Sequence, residues 1–270
     1  GGLAKYGLDY ASLAPQNPQL VYCSVTGFGQ DGPRAQKAGY DFMIQGMTGI
    51  MEITGEPDGM PQKVGVAFAD VFTGLYGVIG IQAALAQRAR TGKGQHIDMA
   101  LFDRMLAAQA NQNLNYLTTG QSPQRMGNAH TSIVPYQVFP VSDGHIVIAC
   151  GNNRQFHNLA RALEREDWIT DPKFADNAAR LAHRAEAVGQ ITEVLSHWRK
   201  LDVLPVLESA GVPSGPINTI AEALEDPQTL HRKMRIDPEG IPGVRTPIIF
   251  SDAQLQLLRA APGLGEHDEI

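Results

Sequence analysis

Asp70 is the carboxylate whose setting reads most like chemistry. It closes the small apolar run Val64-Gly65-Val66-Ala67-Phe68-Ala69, and after it Val71, Phe72, Leu75, Val78, Ile79 and Leu85 recur at roughly helical spacing up to Arg88. The run reads as a strand turning into a helix, so Asp70 falls at an N-cap or first-turn position. Unpaired backbone amides and the helix dipole favour an ionised carboxylate there. Two roles fit: a plain helix cap, or an ionised, positioned nucleophile. Asp98, in the alternating run 95–101, and Asp103, at the start of the next helix, compete for the chemistry, and each also has a structural role open to it.

Other motifs carry less. Gly27-Phe28-Gly29-Gln30-Asp31-Gly32 fits a bare G-x-G-x-x-G after a β-prone run, but Pro33 follows directly and no helix opens there. It is a weak dinucleotide fingerprint, the sole basis for reading the chain as a nucleotide-dependent oxidoreductase. There is no G-x-S-x-G elbow, no Walker A loop and no H-E-x-x-H. The 8 histidines are scattered, and no pair has metal-ligand spacing. The 2 cysteines, Cys23 and Cys150, make neither a disulfide framework nor a Cys-rich zinc site. No metal is expected.

The elements that must hold these groups come from an ordinary globular composition. The 270 residues are 43% hydrophobic and 19% charged, enough for one large domain or two small ones. The net charge is −6 and no basic stripe stands out, which argues against nucleic acid. No unbroken apolar run reaches the ~18–20 residues of a membrane helix, and with no sign of secretion the expected location is the cytoplasm. Strands are expected at 20–25, 95–101, 145–150 and 245–250. Helices are expected at 40–51, from Asp70 to Arg88, and at 102–117, 153–166, 178–200, 203–209, 219–224 and 227–234. A polar linker over 118–132 separates two units. Gly1-Gly2-Leu3 and Glu269-Ile270 do not read as natural ends, so a longer polypeptide is expected.

Taken together, several segments resemble the class III CoA-transferases, the carnitine and bile-acid CoA-transferase family. They are Thr26-Gly27-Phe28-Gly29-Gln30-Asp31-Gly32-Pro33, Ala38-Gly39-Tyr40-Asp41, Ile53-Thr54-Gly55, Val66-Ala67-Phe68-Ala69-Asp70 and Thr91-Gly92-Lys93-Gly94-Gln95. They continue in Gly127-Asn128-Ala129-His130, Val134-Pro135-Tyr136-Gln137, Gly211-Val212-Pro213-Ser214-Gly215-Pro216-Ile217-Asn218 and Pro262-Gly263-Leu264-Gly265-Glu266-His267. The likeness runs over nearly the whole chain in motif order.

The resemblance implies an α/β fold: a Rossmann-like large domain, incomplete here by roughly a hundred N-terminal residues, a small α+β domain, and two chains interlocked as a homodimer. Residues 1–126 would belong to the large domain with its linker, 127–235 to the small domain, and 236–270 to a segment returning to the large one. It implies Asp70 as the catalytic nucleophile. Lys37, Ala38, Gly39, Tyr40 and Asp41 would line the CoA site, with Lys5 and Tyr6 near the CoA phosphates and adenine. Lys5 stands where relatives often carry Arg, so its phosphate contact would be a point charge rather than a bidentate fork. The loop Gly127, Asn128, Ala129, His130, Thr131 and Ser132 is the candidate for closing over Asp70, with an ordinary interdomain linker as the alternative.

CoA and acyl-CoA are implied as substrates, with no permanently bound cofactor; the other partner is a small carboxylic acid. The Asp70 carboxylate would pass through a mixed anhydride and an aspartyl-CoA thioester. Racemases of the family carry His where this chain has Tyr40, and a phenol with a reference pKa of about 10 is a poor neutral-pH base. That favours transfer. Within the family the chain looks most like the succinyl-CoA:glutarate branch. His130, Ser132, Arg125 and Arg154 are candidates for gripping a distal carboxylate. A non-catalytic acyl-CoA-binding protein is the alternative of a different class.

Overall fold

A computed structural model describes residues 2–256 and 258–268. Gly1, Glu269 and Ile270, on which the reading of the two ends rests, lie outside them, as does Leu257 of the 236–270 segment. The chain divides into two units, Gly1–Ser132 and Ile133–Ile270. Residues 127–132 group with the first and 236–270 with the second.

In the first unit the order is α1 (Tyr10–Leu13), β1 (Val21–Thr26), α2 (Asp41–Met47), α3 (Phe68–Thr91), β2 (Gln95–Ala100), α4 (Leu101–Ala108) and α5 (Ala110–Thr119). β1 and β2 pair in parallel, Val21 opposite Gln95 and Thr26 opposite Ala100. A parallel pair needs a long crossover. α3 forms its helical part and packs against both strands. It stops where Gly92 turns left-handed (φ 70°) and its N–H donates to the Arg88 carbonyl at 2.8 Å. Ile44, Ala69, Leu101 and Met105 form the buried centre, with Phe28, Phe68 and Phe102 around it.

α3 is also more apolar than the sequence expectation allowed. Its 24 residues, with a mean hydropathy of 1.4 over the best window, are long and apolar enough by length and composition to cross a membrane, and only 22% of that window is buried in the fold. One side of α3 packs along α2, α4 and both strands, while Val71, Leu75, Val78 and Ile79 stay exposed.

The second unit contains β3 (Tyr136–Val141), β4 (Gly144–Ala149), α6 (Asn153–Ala162), α7 (Asp167–Thr170), α8 (Asn177–Ala182), α9 (Arg184–Leu195), α10 (Lys200–Ser209), β5 (Ser214–Pro216), α11 (Ile220–Glu225), α12 (Pro227–His231), β6 (Arg235–Ile236) and β7 (Gly243–Val244). β3, β4 and β5 form an antiparallel sheet in that order. Phe139, Ile146 and Ile148 of the sheet pack with Phe156, Leu159, Trp168, Ile191, Leu195 and Leu207 in one core.

Arg180 lies inside that core, fully buried. It donates to the carbonyls of Val134 (2.7 Å) and Phe174 (2.8 Å) and to Asn153 Oδ1 (3.0 Å). Its guanidinium sits 4.2 Å from the centroid of the Phe156 ring. The side chain thus ties α8 to the start of the unit and to α6.

Several expected elements differ. The run 64–69 is irregular up to Ala67 rather than a strand, and the helix starts at Phe68. The helix expected over 102–117 breaks at Gln109, where Ala110 turns to φ 34°; the Gln109 side-chain amide donates to the Thr48 carbonyl at 2.6 Å. The helix expected over 178–200 breaks at His183 and ends at Leu195. β3 lies outside the expected strands. The strand expected over 245–250 is absent: Pro247 offers no N–H, and the Arg245 guanidinium is wrapped onto the Arg232 and Lys233 carbonyls.

Replacing Arg180 with Met strands two buried carbonyl acceptors, those of Val134 and Phe174, and frees the more exposed Asn153 side chain. It should destabilise the second unit by about 3 kcal/mol, seen as an earlier denaturant midpoint in tryptophan fluorescence, since Trp168 and Trp198 both lie in this unit.

Candidate active site

The site is built outward from β1. Where that strand ends, Thr26 Oγ1 accepts from the Gly29 N–H at 2.9 Å, and Asp98 Oδ2, from β2, accepts from the Gln30 N–H at 2.8 Å. Asp98 is therefore a loop anchor. Gly27 then meets Gly39 backbone to backbone: a Cβ on Gly39 would lie 2.5 Å from the Gly27 Cα, and one on Gly27 would lie 2.6 Å from the Gly39 Cα. These glycines serve close chain approach. Lys37 and Ala38 are thereby brought beside the turn, where with Thr26, Gly29, Gln30 and Gly2 they line an open groove of about 400 Å³.

Beyond Gly39 the chain presents two faces. Tyr40 is 76% exposed. Asp41 opens α2 and turns its carboxylate inward, where Oδ1 accepts from the Ala69 N–H at 2.8 Å and Oδ2 accepts from Gln45 Nε2 at 2.8 Å. Gln45 is fully buried, and its Oε1 accepts from the Val64 N–H at 2.9 Å. Sequence reasoning missed Gln45. The signal was its place four residues after Asp41, one helical turn away.

Asp70 lies in the first turn of α3, exposed, directly after the buried Ala69. Ala67 occupies the N-cap and has no side-chain cap to give. Val71 N–H closes the first helical bond onto the Ala67 carbonyl at 3.0 Å. Burying Ala69 while exposing its neighbour points the carboxylate away from the core.

Lys5 and Tyr6 sit on a short 3-10 turn, with the Lys5 ammonium 4.8 Å from the Tyr6 ring centroid. They are not among the residues lining the 400 Å³ groove. The loop from Gly127 hangs from the turn after Ile53. Gly127 N–H donates to the Gly55 carbonyl at 3.0 Å, at a left-handed φ of 57°, and a Cβ there would sit 2.9 Å from Glu56 Oε2. Ala129 N–H donates to the Met126 carbonyl at 3.1 Å, and Asn128 is exposed between them. The same turn accepts from Gln62 N–H through the Thr54 carbonyl, so one turn holds both the loop and the approach to Asp70. His130 Nδ1 accepts from the Ser132 N–H at 3.1 Å, which leaves the ring proton of a neutral imidazole on Nε2.

Of the proposed carboxylate grips, Arg125 is already held by Glu52, at 3.0 Å from its carboxylate and 3.0 Å from its carbonyl. Arg154 belongs to α6 in the second unit. Neither cysteine offers a ready thiolate: burial pushes the Cys150 thiol up to about 12, and burial and Asp98 both raise that of Cys23. Among the described residues no three His, Cys, Asp or Glu side chains gather as a metal site.

Comparison with known proteins decides the lineage. The model of CoA-transferase family III matches residues 1–268. This chain belongs to CoA-transferase family III. It is 53% identical to the succinate–glutarate CoA-transferase of Agrobacterium fabrum over 271 residues, covering 98% of this chain and 68% of that protein. Against the human succinyl-CoA:glutarate CoA-transferase the identity is 36%, over 99% of this chain and 62% of the relative. A CAIB/BAIF family protein from Brucella suis has the same mixed α/β fold, with a TM-score of 0.88 and 60% identity over 99% of this chain and 71% of that one. The family match spans both units, so the Gly27–Gly39 contact and Asp70 fall within a CoA-transferase framework.

Gly39→Ala should cost about 1–3 kcal/mol of stability, because backbone must move to admit the methyl group. Gly189→Ala, where an added Cβ meets nothing within 4 Å, should not destabilise. Thermal melting followed by circular dichroism compares the two.

Proposed function

We propose that the complete protein transfers CoA from an acyl-CoA, with succinyl-CoA as the donor, to a dicarboxylic acid such as glutarate. The observation that carries this reading is the 53% identity, over 98% of this chain, to a succinate–glutarate CoA-transferase. Asp70, exposed on the first turn of α3, supplies the nucleophile.

In this mechanism a carboxylate oxygen of Asp70 attacks the thioester carbonyl. The C–S bond breaks and CoA leaves as a thiolate, giving a succinyl-aspartyl anhydride. The thiolate attacks Asp70 Cγ, the anhydride C–O bond breaks, and succinate departs from an aspartyl-CoA thioester. A glutarate carboxylate then displaces the thiolate, and the thiolate takes the glutaryl group, restoring Asp70. No proton is gained or lost. Carboxylates are weak nucleophiles, so positioning and water exclusion carry the rate. Binding of the remote CoA nucleotide holds the reacting carbonyl in place.

The groove beside Lys37 and Ala38 is the proposed path of CoA, with Tyr40 and the backbone of Gly39 and Asp41 along it and Lys5 and Tyr6 toward its nucleotide. Gly127, Asn128, Ala129, His130 and Ser132 form the proposed cover, and His130 and Ser132 are the proposed partners of the acceptor's distal carboxylate. No permanent cofactor is required. By the same family likeness, residues 1–126 and 236–270 contribute to a Rossmann-like large domain and 127–235 to the small one. Two copies interlock as a dimer, in the cytoplasm.

Hydroxylamine added to the complete polypeptide with succinyl-CoA should convert Asp70 to a hydroxamate, located by peptide mass mapping. Asp70→Ala should lower kcat by about 10³-fold or more. CoA binding without any trapped aspartate would turn the reading toward racemisation or simple acyl-CoA binding.

The acceptor's distal carboxylate is a separate test. Glutarate should outperform butyrate, its analogue without a distal carboxylate, by about tenfold or more in kcat/KM. Equal rates would remove the distal grip.

A further inference from the structure

We propose that Gln45 and Asp41 are positioning residues that fix the direction of Asp70, a role that rests on Asp70 being the nucleophile. The segment 64–67 has no regular structure, and Ala67 gives α3 no side-chain cap. A nucleophile three residues past an irregular segment would otherwise inherit its freedom. Two side chains from a different helix remove it. Asp41 Oδ1 takes the Ala69 N–H at 2.8 Å, a donor left over at the start of α3. Gln45 takes the Val64 N–H at 2.9 Å and donates to the Val66 carbonyl at 3.4 Å and to Asp41 Oδ2 at 2.8 Å.

The approach to Asp70 is thus gripped at residues 64, 66 and 69 from one turn of α2. Gln45 has no exposed surface, so it reaches neither CoA nor acid and acts only through the segment it holds. Its amide suits the place better than a carboxylate or a hydrocarbon, because it must accept from one backbone group while donating to another and to Asp41. α2 begins directly after Tyr40, so the same helix anchors the proposed CoA-lining segment and the nucleophile. A displacement of about 1 Å at a reacting group costs on the order of 10²-fold in rate.

The test uses the complete polypeptide with succinyl-CoA and glutarate. Gln45→Leu and Asp41→Ala should each lower kcat by about 10²-fold with the KM for succinyl-CoA within about threefold of wild type. Asp41→Asn keeps an oxygen for the Ala69 N–H but sets an amide donor against Gln45 Nε2, so its kcat should fall by about tenfold, between wild type and Asp41→Ala, at unchanged KM. It carries the same test should the others fail to fold. A raised KM with kcat held would make Asp41 a CoA contact and overturn the proposal, as would wild-type kinetics in Gln45→Leu.

Amide hydrogen exchange checks the geometry without activity. Val64 should exchange about tenfold faster in Gln45→Leu, and Ala69 about tenfold faster in Asp41→Ala, while amides in the middle of α3 hold. Unchanged exchange overturns the clamp. If wild-type protein neither transfers CoA nor traps hydroxylamine at Asp70, the nucleophile reading fails by itself, and exchange alone decides whether α2 holds the segment.

Discussion

The first unit turns on a hydrogen bond that α3 cannot make for itself. A helix begins with several amide donors lacking partners, and the usual remedy is a Ser, Thr, Asp or Asn side chain at the N-cap. Here the N-cap is Ala67, and the Ala69 amide is satisfied from α2 by Asp41. The start of α3 is therefore defined by tertiary structure. Ala69 is buried among Ile44, Leu101 and Met105, so apolar packing and a borrowed cap hold the same turn from two sides. The chain that enters this turn is irregular, yet its donors at Val64 and Ala69 are both occupied.

Much of this was legible in the residues. The β1 run, the Gly-rich turn after it, the apolar stripe of α3 with its Arg-Gly ending and the alternation of β2 are local patterns, and local patterns survive folding. Asp70 was placed correctly at a helix start for that reason. What the chain hid was tertiary. Nothing local marks 64–67 as irregular, because its small apolar residues suit a strand and the groups that occupy its backbone lie some twenty residues earlier. The break between α4 and α5 has no Gly or Pro to announce it: Ala110 takes a positive φ beside a Gln109 side chain that reaches the Thr48 carbonyl. β3 was passed over although it pairs fully with β4; Pro140 within it discourages a strand reading. The candidate site divides in the same way: Asp70, Tyr40 and Gly39 stand in recognisable motifs, whereas Gln45 earns its place only through contacts.

The second unit solves its organisation with a buried cation. Arg180 meets carbonyl oxygens, an amide oxygen and an aromatic face, with no carboxylate among those contacts. A guanidinium can remain charged in such a setting because its planar fork divides the charge over several oriented dipoles. One of those dipoles is the carbonyl of Val134, whose N–H is in turn accepted by Asn177 Oδ1 at 3.1 Å. The second residue of this unit is therefore held on both sides of its backbone by α8.

The meeting of Gly27 and Gly39 also bears on how such a sequence can drift. Most tight contacts tolerate change because a larger residue on one side can be offset by a smaller one on the other. Here both partners are already at the lower limit of size, and the atoms in contact are main chain. No exchange of volume between the two positions is possible, so neither can suppress a substitution at the other. The two sites are locked individually, and relief would have to come from a shift of the whole turn following β1.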